Sequence, residues 1–171
     1  MNRGGKYLVK FIVDAMLGNL ARWLRFLGFD TAYSSMFTDE EILKIAREQS
    51  RVIITCDKHL FYKALKHGLR AHLVKIGSPV EVILAGLAKT YGFKLEFNPK
   101  NTRCPLCNTI LAMVNDPSIL RTTWYPPIKA KVYWVCRNCG QVYWRGKHFI
   151  NIERKLREAK RILKLKEESL K

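Results

Sequence analysis

Short apolar runs alternate with helical repeats of apolar residues through the first ninety residues of the chain. The run at 51–56 is rich in β-branched residues, as in a strand that is buried on both faces. The segment 16–27 has leucine or alanine every three or four residues, which is typical of an amphipathic helix. The pattern predicts strands at 7–13, 31–34, 51–56 and 71–76 and helices at 16–27, 38–49, 58–66 and 79–91. Such alternation indicates an α/β domain with a parallel sheet.

Three local signals predict where helices begin and end in this half. Gly28 stops the first helix. Thr38, with Glu41 three residues later, predicts a capping box at the start of the second. Ser78 and Glu81 predict another capping box, with Pro79 at the first helical position of the fourth helix.

The last seventy residues have a different pattern. The turn-rich segment 98–101 predicts a domain boundary. The tripeptide Val-Tyr-Trp occurs at 132–134 and again at 142–144, which predicts two strands flanking a turn. Residues 151–171 form a charged helical pattern with 8 basic and 4 acidic side chains, consistent with either a solvated face or an RNA-contacting arm. We therefore predict an α/β domain at 1–97, a small β-rich domain at 98–150 and a basic C-terminal helix at 151–171.

Four cysteines occur in two C-x-x-C pairs, Cys104 with Cys107 and Cys136 with Cys139. Two residues between thiolates let both sulfurs face one ion, and two such pairs can surround one tetrahedral zinc. Asn108 and Gly140 follow the pairs, and these residue types accept a left-handed backbone. The alternatives are disulfides, which need an oxidising compartment, and a dithiol redox centre, which needs only one pair. We predict a zinc ribbon whose zinc is structural, since four thiolates close its coordination shell.

Composition adds a large charge surplus to this picture. The 171 residues include 31 Lys and Arg against 14 Asp and Glu, a formal charge of +17. A surplus of this size indicates a polyanionic partner, of which nucleic acid is the first candidate. The sequence has no signal-peptide pattern at its start and no apolar stretch of membrane-spanning length. We expect a soluble cytoplasmic protein that does not use a membrane.

Three aspartates occupy comparable places in the α/β half. Asp14 follows the first strand, Asp39 starts the helix after the second, and Asp57 follows the third. Ligands of an open parallel sheet bind outside the carboxyl ends of its strands, so these side chains could converge. Converging carboxylates need a cation, and Mg²⁺ or Mn²⁺ prefers oxygen ligands and can activate water against a phosphodiester. The alternative is that each aspartate is only a turn or helix-cap residue.

Aromatic and basic residues interleave around the second cysteine pair, as in surfaces that stack bases and hold phosphates. Trp124 and Tyr125 begin this run. The alternative is that some of these rings are buried inside the ribbon, because a domain this small has little other core. Alternate strand residues face opposite sides, so we expect either Tyr133 or the Val132 and Trp134 pair to be buried. The candidate RNA-binding residues are Lys131, Trp134, Arg137, Trp144 and Arg145, with Arg22 and Arg25 of the first helix as further phosphate contacts.

Three strings, FIVDAMLGNLARWLRFLGFD at 11–30, TDEEIL at 38–43 and RVIITCD at 51–57, closely resemble the Mut-seven C-terminal RNase family. Members of that family have a PIN-like nuclease domain followed by a zinc ribbon. The resemblance covers about residues 8 to 148. It implies a PIN-like fold, ribonuclease activity and a metal-binding catalytic set at Asp14, Asp39 and Asp57.

Two features depart from the family's pattern. Cys56 stands where arginine is common, and no clear fourth acidic residue follows the strand predicted to end at Ile76. The favoured interpretation is a metal-dependent endoribonuclease whose ribbon positions RNA, with ribosomal RNA or the ribosome as a target by analogy. One alternative is a non-catalytic RNA- or ribosome-binding protein on a PIN scaffold. Another is a protein-interaction module of a toxin–antitoxin-like pair. The sequence does not indicate the oligomeric state.

Overall fold

A computed structural model describes residues 9–116 and 130–168 of the chain. The described residues fall into two compact units. The first contains the residues up to Leu24 and Phe29–Ile76, and the second contains Arg25–Gly28 and the residues from Gly77 onward. The predicted strand residues 7–8, the aromatic residues Trp124 and Tyr125, and the predicted helix end at 169–171 lie outside the described residues. The domain limits at 97/98 and 150/151 stay predictions.

The first unit contains a four-stranded sheet in which every neighbouring pair is parallel. Its strands are β1 (Phe11–Val13), β2 (Thr31–Ala32), β3 (Val52–Thr55) and β4 (Ala71–Leu73), in the order β2-β1-β3-β4. Every residue of β1 and β3 is buried, because these two strands are central and covered on both faces. The predicted α/β class with a parallel sheet is confirmed.

The first four helices begin and end within two residues of the predicted limits, whereas the C-terminal helix begins at Lys147, four residues before its predicted start at 151. The helices are α1 (Gly18–Phe26, preceded by a 3₁₀ turn at Ala15–Leu17), α2 (Asp39–Gln49), α3 (Lys58–Lys66), α4 (Val80–Tyr91) and α5 (Lys147–Glu168). Thr38 and Glu41 form the predicted capping box before α2, with both reciprocal hydrogen bonds. Gly28 ends α1 with φ of 93°, and a Cβ there would lie 2.4 Å from the Asn101 carbonyl oxygen. Glycine alone satisfies both conditions.

The predicted capping box before α4 is wrong. Pro79, not Ser78, is the N-cap residue, and no side chain caps the helix. The Glu81 carboxylate instead accepts a hydrogen bond of 2.9 Å from Lys155 Nζ of α5. That ion pair accompanies the packing of α4 against α5 in the second unit.

A buried arginine fastens the amino-terminal ends of the parallel strands. The Arg51 side chain is only 8% exposed, and its Nη1 donates to the carbonyl of Phe11 at 3.0 Å and to the Asp30 carboxylate at 2.8 Å. Its Nε donates to the Gln49 side chain at 2.7 Å. A buried charge is tolerated only when it is paired and hydrogen-bonded, and Arg51 meets both requirements.

The second unit contains a three-stranded antiparallel sheet. Its strands are β5 (Ala112–Val114), β6 (Tyr133–Val135) and β7 (Val142–Trp144), in the order β5-β6-β7. The two Val-Tyr-Trp strands were predicted, whereas β5 was not. The expectation that only one side of β6 is buried is wrong, since Tyr133 and Trp134 are 6% and 5% exposed. Apolar clusters cover both faces of this strand.

Aromatic rings extend this core within the second unit. Phe97 stacks on Phe26 with centroids 4.6 Å apart and meets Phe149 and Trp134 edge-on at 5.1 and 5.6 Å. Such pairs stabilise by about 0.5–1.5 kcal/mol each beyond the area they bury. Within the described ranges, no helix is both long enough and apolar enough to cross a membrane.

Candidate active site and metal centre

The carboxyl ends of β1 and β3 lie side by side, because the two strands pair in parallel with Val13 opposite Ile54. Asp14 follows β1 directly, and its backbone N–H donates to the Ile54 carbonyl at 3.0 Å. Thr55 Oγ1 donates to Asp14 Oδ2 at 2.7 Å and accepts from the Asp57 backbone N–H at 2.9 Å. One buried hydroxyl therefore links the Asp14 carboxylate to the Asp57 turn.

Asp14 and Asp57 have different surroundings. Asp14 is 9% exposed, whereas Asp57 is exposed and is the N-cap residue of α3. Asp57 Oδ1 accepts from the His59 backbone N–H at 2.6 Å. Asp57 is therefore a helix-cap residue, as the alternative interpretation predicted. A carboxylate has two oxygens, so it can cap a helix with one and bind a ligand with the other.

Asp39 is the third aspartate of the predicted catalytic set. It is the first residue of α2 and is half-buried. Its neighbour Glu40 hydrogen-bonds to Lys63 Nζ of α3. Among residues 9–116 and 130–168, the single group of three or more His, Cys, Asp or Glu side chains placed to hold a metal is the cysteine cluster. Among the described residues, the three aspartates therefore do not form a ready three-carboxylate cage.

Cys56 lies between the two acidic turns. Its Sγ is 3.9 Å from Met16 Sδ. Burial raises the pKa of the Cys56 thiol, and the Asp14 and Asp57 charges raise it further. The thiol is therefore neutral, and it cannot supply the positive charge that an arginine would bring to these carboxylates.

The four cysteines of the two pairs come together in the second unit. Their sulfurs all lie within 4.8 Å of one another. Cys104 Sγ is 3.6 Å from Cys139 Sγ, and Cys107 Sγ is 3.3 Å from Cys136 Sγ. A tetrahedral zinc with Zn–S bonds of about 2.3 Å holds its sulfurs roughly 3.8 Å apart, whereas disulfide sulfurs are about 2.05 Å apart. The arrangement fits one tetrahedral metal such as zinc and does not fit disulfides.

Both cysteine turns have the same backbone. Asn108 and Gly140 have φ of 70° and 74°, as predicted. The N–H of each donates at 2.9 Å to the carbonyl of the first cysteine of its pair. The first cysteine's own N–H then donates to the carbonyl two residues after the second cysteine, at 2.8 and 2.9 Å. Two matching knuckles therefore face one another.

Two side chains from elsewhere in the sequence support the first knuckle. The Tyr143 hydroxyl is 3.2 Å from Cys104 Sγ. Burial raises the pKa of Tyr143, so its hydroxyl stays protonated and can donate to a Cys104 thiolate. Arg25 is 4% exposed, and its Nη1 donates to the Pro105 and Leu106 carbonyls at 2.9 and 3.0 Å. Sequence reasoning assigned Arg25 to phosphate, but its guanidinium is buried and occupied by the knuckle.

The other proposed RNA contacts divide by exposure. Trp134 is a core residue, and its indole Nε1 donates to the Pro99 carbonyl at 2.9 Å. Arg145 is exposed, and its guanidinium lies 4.7 Å from the Phe149 ring centroid. Trp144 is half-buried. The remaining candidate RNA-binding residues are all exposed, and they are Arg22, Lys131 and Arg137.

A cavity of about 550 Å³ opens beside β6 in the second unit. Its wall is mostly apolar and includes Met113 and Trp134. Lys131 and Arg145 add two cations to the lining. An apolar cavity with cations has the composition that an unpaired base and its phosphates require.

A family model described as the Mut7-C RNAse domain matches residues 9–156. The chain belongs to this family. The Mut7-C match includes the parallel sheet, the three aspartates and all four cysteines, so it confirms the resemblance seen in the sequence strings. Membership indicates a ribonuclease-like role for this Mut7-C protein. Searches of curated proteins and of solved structures found no match to it.

Proposed function

We propose that this Mut7-C protein is a metal-dependent endoribonuclease. The observation that carries the proposal is the Asp14–Thr55–Asp57 arrangement at the carboxyl end of the parallel sheet. In open sheets of this type the ligand lies in the crevice at that edge. The charge of +17 suits a polyanionic substrate, and RNA is the substrate class named by the family.

Asp14, Asp39 and Asp57 have the chemistry of a hard-cation site. Their donors are carboxylate oxygens, which Mg²⁺ and Mn²⁺ prefer, and Mg²⁺ usually takes one or two carboxylates together with waters and substrate phosphates. A closed cage of protein ligands is therefore not needed. Such an ion supplies Lewis acidity and lowers the pKa of a bound water. Thr55 orients Asp14 by donating to one of its oxygens, while Asp57 lies on the turn that the same hydroxyl holds.

The zinc ribbon is proposed to position the RNA rather than to cut it. Four thiolates would close the zinc shell and leave no coordination site for substrate. Lys131 and Arg145 at the cavity beside β6 would hold phosphates, with Arg137 and Trp144 as further contacts. Ribosomal RNA in the cytoplasm is the proposed setting.

The deciding experiment is cleavage of end-labelled RNA by the full chain in Mn²⁺, in Mg²⁺ and without divalent metal. We expect metal-dependent internal cuts that fall at least a hundredfold in Asp14→Asn, since that change removes a ligand charge from the buried position. Glu48→Gln on the same unit is a matched control, because Glu48 is an exposed residue of α2.

A second candidate function is favoured by Cys56. An uncharged thiol beside the carboxylates is compatible with a PIN scaffold that binds RNA and no longer cuts it. Intact RNA under every metal condition, with equal RNA affinity in wild type and Asp14→Asn, would establish this alternative and reject the nuclease.

A further inference from the structure

Five cations lie along one face of α5. They are Lys147, Arg154, Arg157, Arg161 and Lys164, and all five are exposed. At 3.6 residues per turn these positions fall within an arc of about 100°. This set, called here the α5 basic stripe, forms a row of positive charge along one side of the helix.

The opposite face of α5 is fixed against the protein. Leu156 and Ala159 are 6% and 0% exposed, and the helix packs against α4 within the second unit. Lys155 Nζ binds the Glu81 carboxylate at 2.9 Å, and Lys89 Nζ of α4 donates to the Lys166 carbonyl at 3.0 Å. The rotation of α5 about its axis is therefore set, and the five cations of the stripe remain exposed.

The stripe's internal ion pairs are weak enough to be exchanged. Arg161 pairs with Glu158 at 3.2 Å while its side chain is 71% exposed. Lys164 pairs with Glu168 at 3.8 Å while its side chain is 79% exposed. Exposed pairs of this kind stabilise by only about 0–1 kcal/mol, so a phosphate can displace the carboxylates at little cost.

The dimensions suit an extended polyanion. The stripe runs from Lys147 to Lys164, a rise of about 25 Å at 1.5 Å per residue, with successive cations from Arg154 onward roughly 4.5–6 Å apart along the axis. A nucleic-acid strand carries a charge every few ångströms along such a line. The stripe has no aromatic or amide side chain to read bases, so its contacts would be independent of sequence.

A membrane surface fits this helix less well. Helices that lie on membranes insert an apolar face opposite their cations. The apolar face of α5 is already buried against α4, with Leu156 and Ala159 at its centre. Ile150 and Leu165 are exposed but are single residues separated by four turns.

We propose that the α5 basic stripe binds the phosphate backbone of RNA without reading its sequence. The proposal deepens the proposed function and rests on RNA being the substrate. It places a backbone contact on residues 157–164, beyond the part of the chain that the family model matches.

The test is binding of the full chain to a fluorescent 20-nucleotide RNA. Binding is measured by fluorescence anisotropy across a salt series without added divalent metal. In the triple variant Arg157→Gln, Arg161→Gln and Lys164→Gln, we expect affinity near 0.1 M salt to fall at least tenfold. The slope of log affinity against log salt should become shallower by about 2, since each lost phosphate contact removes roughly 0.7 on a single strand.

A triple variant with the same charge loss elsewhere is the control. Lys44→Gln, Arg47→Gln and Lys66→Gln remove three exposed cations from α2 and α3. An equal loss of affinity in both triples would mean that only net charge matters, and would overturn the proposal. Unchanged RNA affinity in the stripe triple variant would also overturn the proposal. If that variant instead lost binding to vesicles with anionic lipid, the stripe would be a membrane contact. Far-UV circular dichroism and zinc content check that each variant is folded.

Binding and cleavage separate the two proposals. If the stripe triple variant binds RNA more weakly but the wild type cuts no RNA in Mn²⁺, this inference stands and the nuclease proposal is rejected. If the wild type cuts RNA and the stripe triple variant binds RNA as tightly as the wild type, only this inference is rejected.

Discussion

Thr55 uses one hydroxyl to satisfy two groups at the sheet edge. It donates to Asp14 and accepts from the Asp57 backbone at 2.7 and 2.9 Å, and its own side chain is fully buried. A buried hydroxyl with both roles filled fixes the rotamer of the carboxylate it contacts. Thr55 is therefore a positioning residue for Asp14, and sequence reasoning did not single it out.

Replacing Thr55 with valine should slow cleavage at least tenfold and lower the free energy of unfolding by about 1–3 kcal/mol. The shape is nearly unchanged, but the Asp14 carboxylate and the Asp57 N–H both lose a buried partner. The measurements are the single-turnover rate on labelled RNA and urea unfolding.

Serine at position 55 is the matched control, because it keeps the hydroxyl and loses only a methyl group. We expect Thr55→Ser to recover most of the cleavage rate. If the Thr55→Val variant and the wild type cut RNA equally fast, Thr55 does not position Asp14.

Among the elements, α4 and α5 are joined by a charged contact as well as by apolar packing. Hydrogen bonding from Lys155 lowers the pKa of Glu81 below its ordinary value of 4.5. The two side chains are 27% and 19% exposed, so solvent screens the pair only in part. A carboxyl with a lower pKa in the folded state stabilises the fold above its unfolded pKa and ceases to do so as pH falls through the folded pKa.

Glu81→Gln should therefore lower the free energy of unfolding by about 0.5–1 kcal/mol at pH 7. The difference from wild type should shrink as pH falls below the ordinary glutamate pKa of 4.5. Thermal unfolding across pH 3 to 7 measures it. Glu96→Gln is the control, since Glu96 meets Lys160 at 3.6 Å with both side chains at least half exposed. A Glu81 effect that is the same at every pH would contradict the electrostatic origin.

Elements whose signals are local were predictable from sequence. The capping box of Thr38 and Glu41 and the left-handed turns at Asn108 and Gly140 depend on partners only a few residues away. The limits of α3 match the prediction for the same reason. The cysteine pairs belong to this class as well, because C-x-x-C spacing is itself the geometry of a knuckle.

Features that depend on distant partners were missed or misassigned. Trp134 is buried because Pro99 and Phe97 meet it from 35 and 37 residues away. The Ser78 box does not form, and the Glu81 carboxylate accepts instead from Lys155, 74 residues away. Thr55 finds Asp14 across 41 residues. Strand alternation or helix-cap patterns cannot report such partners, since they carry only local information.

At the scale of the whole molecule, the metal centre and the carboxylate edge belong to different compact units. Removing zinc should unfold the ribbon, because a site of four thiolates contributes folding free energy directly. We expect the amides of β5, β6 and β7 to lose protection from hydrogen exchange, while those of β1 and β3 keep it. Hydrogen-exchange mass spectrometry with and without a chelator measures this.

Two serine variants control the zinc experiment. Cys136→Ser should lose the one expected zinc per chain, since Cys136 belongs to the four-sulfur group. Cys56→Ser should keep it, because Cys56 is a cysteine outside that group. Zinc in equal amounts in both variants would contradict the assignment of the site.

The arginine under the first knuckle has a consequence for the order in which the chain assembles during synthesis. Arg25 leaves the ribosome about 80 residues before the carbonyls that it binds, since its bond to Leu106 spans 81 positions. Closing a loop of that length costs about 4 kcal/mol of chain entropy, whereas a knuckle closes over four residues. Each knuckle can therefore close as soon as it is synthesised, but Arg25 must wait about 80 residues for its partners at the first knuckle, and the metal site must wait for the second cysteine pair.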